Sequence, residues 1–320
     1  MTLLLRLCAG ITALVIGQCA GAQGAPQGPV KIVVGFAAGG PPDITARLIA
    51  ARLEKRWQQP VTVENVVGAS GTIAAANVAR SKPDGQTLLF GVAANLAVAP
   101  ATMRTPPYDP TTAFSPIAEV ARGPYLWLVR ADAPATDMPG FIRWARQNPG
   151  KLAYGSPGQG TVHHLATEML KQSQGIYLLH VPYRVAPYTA LVAGDVQGMF
   201  ESMPAPLPLI ESGRLRALAV TGPKRLAVLP NVPTFAEQGL PGIDVHSWWG
   251  FVGPAGMAPA LVAQVNDDIR NVLADPDVRA ALARAGIEPG VGTPDAFGRF
   301  IAQEAARWKH VVAERALALE

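Results

Sequence analysis

One local arrangement occurs twice in this chain. A short apolar strand runs into a glycine-rich loop, and the loop runs directly into the first turn of a helix. The first copy is the strand Val30 to Val34, the loop Gly35 to Gly40 with Pro41, Pro42 and Asp43, and a helix over Ile44 to Gln58. Ile44, Leu48, Ile49, Leu53 and Trp57 recur there at helical spacing. The second copy is Leu152 to Tyr154, the loop Gly155 to Gly160, and a helix opened by Thr161 with Val162, Leu165, Ala166, Met169 and Leu170 on one stripe. Glycine lets backbone approach a ligand closely, the first amides of a helix have no internal partner, and the helix dipole favours negative charge there. Each copy is therefore a device for holding an anion. Two copies in matching places of two α/β units predict a cleft with an anion-holding end on each wall.

The rest of the chain alternates in the same way. Strands are expected at Val61 to Val66, Thr87 to Val92, Tyr177 to Val181, Val196 to Phe200 and Leu215 to Val220. Helices fall between them at Thr72 to Ser81, Phe141 to Gln147 and a short stretch ending at Gly194. This alternation predicts an α/β fold with a parallel sheet covered on both faces. Tyr125 to Arg130 and Trp248 to Val252 read as strands crossing between two units. Three helices finish the chain, at Pro259 to Leu273, Asp277 to Ala285 and Pro294 to about Ala316, the last capped by Thr293-Pro294. The 32 Gly and 30 Pro suit many short strand–helix connections better than a helical bundle.

The N-terminus sets the compartment. Met1 to Arg6 is a short basic start, Leu7 to Gly17 is mostly apolar, and Ala20-Gly21-Ala22 is a small-x-small cleavage site. Residues 1–22 are expected to be a cleaved secretory signal peptide, leaving Gln23 first. The apolar run is shorter than the roughly 20 residues a membrane helix needs. Both cysteines, Cys8 and Cys19, lie inside this segment, so the mature chain is expected to have no disulfide and to rest on its core alone. Gln18 stands where a lipid-anchor motif places a small residue, which disfavours an anchor on Cys19. The composition supplies that core, with 49% hydrophobic and 16% charged residues. The formal charge of +4 is modest and scattered, and no Lys/Arg run is interleaved with aromatics, so no nucleic-acid partner is expected. The expectation is a periplasmic, soluble monomer.

Motifs for catalysis and cofactors are missing their parts. Gly158-Gln159-Gly160 lacks the third glycine and the downstream acid of a dinucleotide fingerprint, and there is no phosphate-binding P-loop. Ser156 has Tyr154 two residues before it, where a nucleophile elbow has glycine. His163 and His164 are adjacent and point about 100° apart on a helix. No further metal-ligand set accompanies them, so neither metal nor cofactor is expected. A secreted hydrolase built on Ser156 or His164 would lack a nucleophile–base–orienter set, and no catalytic residue is expected. His180 and His246 read as structural, and Trp248-Trp249-Gly250-Phe251 as a buried strand between the units in preference to a stacking platform for a ligand. Asp43 has two compatible roles, as an acid favoured at a helix N-terminus and as a ligand contact at the mouth of the first loop. Glu201 would face the cleft if the strand before it is parallel to the others. Arg184 reads as a solvated cation near the loops.

Taken in order, several segments point to one family. They are Val33-Val34-Gly35-Phe36-Ala37-Ala38-Gly39-Gly40-Pro41-Pro42-Asp43, Val63-Glu64-Asn65, Pro83-Asp84-Gly85-Gln86-Thr87-Leu88-Leu89 and Pro107-Tyr108-Asp109-Pro110. Asn148-Pro149-Gly150-Lys151-Leu152, His180-Val181-Pro182-Tyr183, Leu215-Arg216-Ala217-Leu218-Ala219-Val220 and Leu229-Pro230-Asn231-Val232-Pro233-Thr234 follow. The mature chain resembles the substrate-binding proteins of tripartite tricarboxylate transporters, the TctC or Bordetella uptake gene (Bug) family. The resemblance implies a two-domain periplasmic-binding-protein (type II) Venus flytrap with two crossover strands. Its domains would be residues 30–124 plus 248–320, and 125–247. It implies a binding protein without catalysis that holds a small carboxylate through backbone amides, hydroxyls and water. It would deliver that ligand to TctA/TctB-like membrane subunits, or serve a sensor. The ligand-binding set it implies is Phe36, Ala38, Gly39, Gly40, Asp43, Asn95, Ser156, Gly158, Gly160, Thr161 and Glu201. This chain departs from the family pattern at Gly35 and Ala37 (usually Pro), Pro42 (often a hydroxyl residue), Val185 (usually Gly) and Glu201 (frequently Asp). Two prolines remove two N–H donors from the first loop. Val185 should narrow its wall of the cleft and Glu201 reaches one methylene further, so the expected ligand is smaller, or more apolar at its far end, than a tricarboxylate.

Overall fold

The computed structural model describes residues 26–183, 187–203, 205–284, 286–290 and 292–314. The expected signal peptide, Arg184 and Val185 lie outside the described residues. Strand β1 (Val30–Val34) leads through the first glycine loop into α1 (Pro41–Trp57), followed by β2 (Val61–Asn65), α2 (Thr72–Ala79) and β3 (Thr87–Val92). A π-helical turn (Ala94–Val98) and α3 (Ala99–Thr102) precede β4 (Phe114–Arg130). Next come α4 (Met138–Gln147), β5 (Ala153–Ser156), α5 (Val162–Gln174), β6 (Leu179–Pro182), α6 (Pro187–Ala193), β7 (Met199–Ser202), α7 (Leu207–Glu211) and β8 (Leu215–Val220). The chain closes with β9 (His246–Pro254), α8 (Pro259–Ala274), α9 (Pro276–Arg284), β10 (Glu288–Pro289) and α10 (Pro294–Glu314).

β1 pairs in parallel with β2 and β3, and β5 pairs in parallel with β6, as the strand–helix alternation predicts. The larger sheet is nevertheless mixed. β9 lies antiparallel between β3 and β4, and β10 is antiparallel to β4. Parallel pairing needs a crossover connection, and strands arriving from a distant part of the chain are free of that constraint.

The chief difference from the sequence expectation is the length of β4, which has 17 residues and begins at Phe114 rather than Tyr125. Phe114 to Pro124 pair with β9, and Tyr125 to Arg130 pair with β7 and β8. Register shifts after Pro116 and Glu119 mark irregularities that let so long a strand bend. Pro116, Gly123 and Pro124 interrupt the apolar run there, which is why it does not read as a strand.

Two smaller corrections concern the second half. Gly155 and Ser156 belong to β5, opposite Val181 and Pro182 of β6, so the second loop starts at Pro157. The regular part of β7 begins at Met199, not Val196. Just before it, the Gln197 N–H donates to the Ala153 carbonyl at 2.8 Å, and Gly198 forms a single parallel bridge to Tyr154. Gly198 has no room for a side chain, because a Cβ would sit 2.5 Å from Cζ2 of the buried Trp127.

Strand alternation divides the core. Val33, Leu89, Trp127 and Val129 join one apolar cluster, and Ile32, Val34, Leu88, Phe90, Leu126 and Leu128 join a second. Among the described residues no helix is long and apolar enough to cross a membrane.

Candidate functional site

A cleft of about 740 Å³, counted with its open mouth, lies where the two loops meet the crossing strands. Phe36, Ala38, Gly40, Pro41 and Pro42 line it from the first loop and α1, and Val92, Ala93 and Ala94 from the end of β3. Thr161, Val162 and His163 come from the start of α5, Glu201 and Ser202 from β7. Tyr125 of β4, Ser247, Trp248 and Trp249 of β9, with Ala37, Pro157, Tyr183, Pro187 and Tyr188, complete the described lining.

The first loop is braced by a carboxylate. Asp43 is buried, and it accepts from the Gly39 N–H at 2.9 Å, from Arg47 Nε at 2.9 and 3.0 Å, and from Asn65 Nδ2 at 2.9 Å. Burial alone would raise the Asp43 carboxyl, but the bonds from Arg47, Gly39 and Asn65 and the Arg47 charge outweigh it and hold it below its ordinary value. Asn65 also donates to the Phe36 carbonyl at 2.9 Å, tying the end of β2 to the loop. Asn65 was not among the expected site residues; the Asp43–Arg47 pair one helical turn apart was the available hint. Asn95 is fully buried beneath the loops, where Oδ1 accepts the Val92 N–H at 2.9 Å and Nδ2 reaches the Gly71 carbonyl at 3.4 Å.

The two helix N-termini are not equivalent. α1 starts at Gly40 without a side-chain cap, and Pro41 and Pro42 fill its first two positions, so their rings and not N–H groups face the cleft. α5 starts at Thr161, whose Oγ1 accepts the His164 N–H at 3.3 Å and donates to the Gly158 carbonyl at 2.8 Å. Val162 and His163 keep N–H groups that the helix cannot satisfy internally. The stronger anion-holding end is therefore the second one. Gly39, Gly158 and Gly160 have φ of 80°, 146° and 68°, which side chains with a Cβ resist.

Behind the second loop stands a stack of rings. His180 lies between Tyr154 and His164, with centroids 4.8 and 4.3 Å away, and its Nε2 meets Ser156 Oγ at 2.6 Å. Burial, aided by the neighbouring His164, pushes His180 down to about 4. Ser156 is fully buried and bonded to Gly158 as well, at 3.1 Å, so it serves the loop. Across the cleft, the Ser70 hydroxyl donates to the Gln159 carbonyl. Ala69 and Ser70 hold left-handed backbone there, with φ of 46° and 55°.

Of the expected ligand-binding set, Phe36, Ala38, Gly40, Thr161 and Glu201 line the cleft. Gly39, Asp43, Asn95, Ser156, Gly158 and Gly160 lie in or under the two loops and are not among the lining residues. Glu201 sits inside β7, which is antiparallel to β4 but bridged in parallel to β5. Burial first, and the charge of Glu201 second, raise the Tyr125 and Tyr188 phenols, so both remain O–H donors at neutral pH. Sequence reasoning missed Tyr125, Tyr188, Ser202 and Ser247, gave His163 a structural role, and preferred a buried strand to a stacking platform for the Trp248-Trp249 pair. Trp248 and Trp249 are indeed buried strand residues, and they also line the cleft.

The family model described as "Tripartite tricarboxylate transporter family receptor", TctC, matches residues 45–317. "Protein BugT" of Bordetella pertussis (strain Tohama I) is 34% identical over 292 residues, covering 90% of each chain. Among solved structures, "R. palustris Rpa4515 with adipate" is 37% identical with a TM-score of 0.88, covering 92% of this chain and 99% of that one. "Periplasmic binding protein BugD" is 31% identical with a TM-score of 0.88, covering 92% of this chain and all of that one, 100%. These matches run almost the whole length of both partners, and this chain belongs to the TctC family, the receptors of tripartite tricarboxylate transporters.

Proposed function

We propose that this chain captures a small organic carboxylate in the cleft and delivers it to a tripartite tricarboxylate-type transporter. The observation that carries the reading is the cleft itself, which joins the N-terminal turn of α5 to residues of the first loop and of both crossing strands. The lobes closing on the ligand are residues 30–124 with 248–320, and 125–247, hinged where β4 and β9 pass between them. Phe36, Ala38, Gly40, Thr161 and Glu201 touch the ligand. Gly39, Asp43, Asn95, Ser156, Gly158 and Gly160 hold the loops in the receiving shape. Adipate in the R. palustris relative supports a carboxylate as ligand. The protein works as a periplasmic monomer after loss of residues 1–22, and TctA/TctB-like subunits receive its ligand.

A thermal-shift screen tests the reading, since a ligand that binds only the folded state raises Tm. Small carboxylates are expected to raise it, and the neutral amide of a good ligand is expected to bind about 1.5–3 kcal/mol more weakly. Equal binding of acid and amide would remove the carboxylate from the reading.

A further inference from the structure

The cleft carries a charge of the wrong sign for its anion. Glu201 is the one ionisable acid among the described lining residues, none of which is Lys or Arg, and it is only 3% exposed. A buried carboxylate is costly unless a cation or several donors meet it. Among the described residues three protein donors reach Glu201, and all fall on the same oxygen. Oε1 takes the Ser202 N–H at 2.8 Å, His163 Nε2 at 3.3 Å and Ser202 Oγ at 3.4 Å. None of these bonds goes to Oε2.

His163 is a poorly placed partner for that carboxylate. Its contact is longer than the roughly 2.7–2.9 Å of a charge-assisted pair. Its Nδ1 is buried without a hydrogen-bond partner. An imidazolium would bury an unsatisfied N–H at that atom, whereas a neutral ring protonated on Nε2 leaves only a bare acceptor. Oε2 of Glu201 is thus left without a partner among the described residues, and the rings of Tyr125 and Tyr188 line the same cleft. Aromatic rings and a carboxylate lining one cleft suit a cation.

We propose that Glu201 selects ligands bearing an ammonium group, so that the preferred ligand is a zwitterionic amino carboxylate rather than a dicarboxylate. The inference rests on the carboxylate reading given above. The ligand carboxylate takes the Val162 and His163 N–H groups of α5, and its ammonium takes Oε2 of Glu201. A dicarboxylate must set its second anion against Glu201 or force a proton onto one of them.

Isothermal titration of the full mature chain near neutral pH tests this with spacer-matched pairs of one to four methylenes: glycine and malonate, β-alanine and succinate, 4-aminobutanoate and glutarate, 5-aminopentanoate and adipate. The tightest amino carboxylate is expected to bind roughly tenfold or more tightly than its dicarboxylate partner, the scale of a hydrogen bond to a charged group. Glu201→Gln should weaken that ligand by roughly tenfold and leave dicarboxylate binding equal or stronger. Dicarboxylates binding as tightly as their amino partners at every spacer would overturn the inference, as would a Glu201→Gln variant that weakens both series equally. The wild-type comparison decides alone if the variant does not fold. If dicarboxylates bind and amino carboxylates do not, only the selectivity fails. If neither series binds, the carboxylate reading fails with it.

Discussion

Acid should weaken this protein through the ring stack behind the second loop. His180 is held between Tyr154 and His164 and bonded to Ser156, and burial lowers it to about 4. In the unfolded chain it returns to about 6.5. Between those two values the unfolded chain binds a proton that the folded chain does not. Stability is therefore whole above about pH 6.5 and lost progressively as pH falls toward about 4, with no further loss from this group below it. The shift sets an upper limit of about 3 kcal/mol. The ring is partly exposed, and solvent screening reduces the expected loss to about 1–2 kcal/mol. The perturbation is His180→Phe, which keeps a flat ring in the stack and removes the titration. Urea unfolding followed by tryptophan fluorescence between about pH 7.5 and about pH 4.5 gives the stability of each form. Their difference reports His180 together with its coupling to the stacked His164, itself lowered by burial. The wild type should lose about 1–2 kcal/mol relative to the variant across the window. A difference that is constant with pH, or that moves in favour of the wild type in acid, refutes the reasoning.

Three further perturbations follow from the loops and the core. Asp43→Ala removes the acceptor shared by Gly39, Arg47 and Asn65. It should cost about 1–3 kcal/mol of stability and weaken carboxylate binding, read by thermal unfolding and titration; unchanged affinity would detach this loop from the site. Gly198→Ala drives a Cβ to 2.5 Å from Trp127 Cζ2 and should cost about 1–3 kcal/mol in urea unfolding. An unaltered midpoint would mean that the neighbouring rings shift freely. Ser70→Ala removes the cross-cleft bond to the Gln159 carbonyl. Stopped-flow should show ligand release accelerated several-fold, with unliganded stability altered by less than about 1 kcal/mol; an unchanged release rate would show that the bond does not hold the cleft closed.

Local signals were enough for the repeated strand–loop–helix units, because each is written in neighbouring residues. The β-branched run Val30 to Val34, the Thr161 cap and the prolines at the start of α1 each act within one turn or one strand, and the folded chain places them as expected. The segments matching the family were legible for the same reason, and so were Phe36, Ala38, Gly40, Thr161 and Glu201 as cleft residues. Local reading failed where pairing between distant segments overrode propensity. Phe114 to Pro124 form strand in spite of two prolines and a glycine, because β9 supplies a ladder along the stretch and β10 adds pairs at Ala121 and Arg122. The missing donors of Pro41 and Pro42 were legible, but their exact places at the first two positions of α1, opposite a side-chain-capped α5, needed the folded backbone. Tyr125, Glu201 and Trp249 come together at one cleft although more than a hundred residues separate the first from the last. No periodicity encodes such a meeting; it arises when the crossing strands bring burial, charge and aromatic faces from separate segments into one enclosed volume.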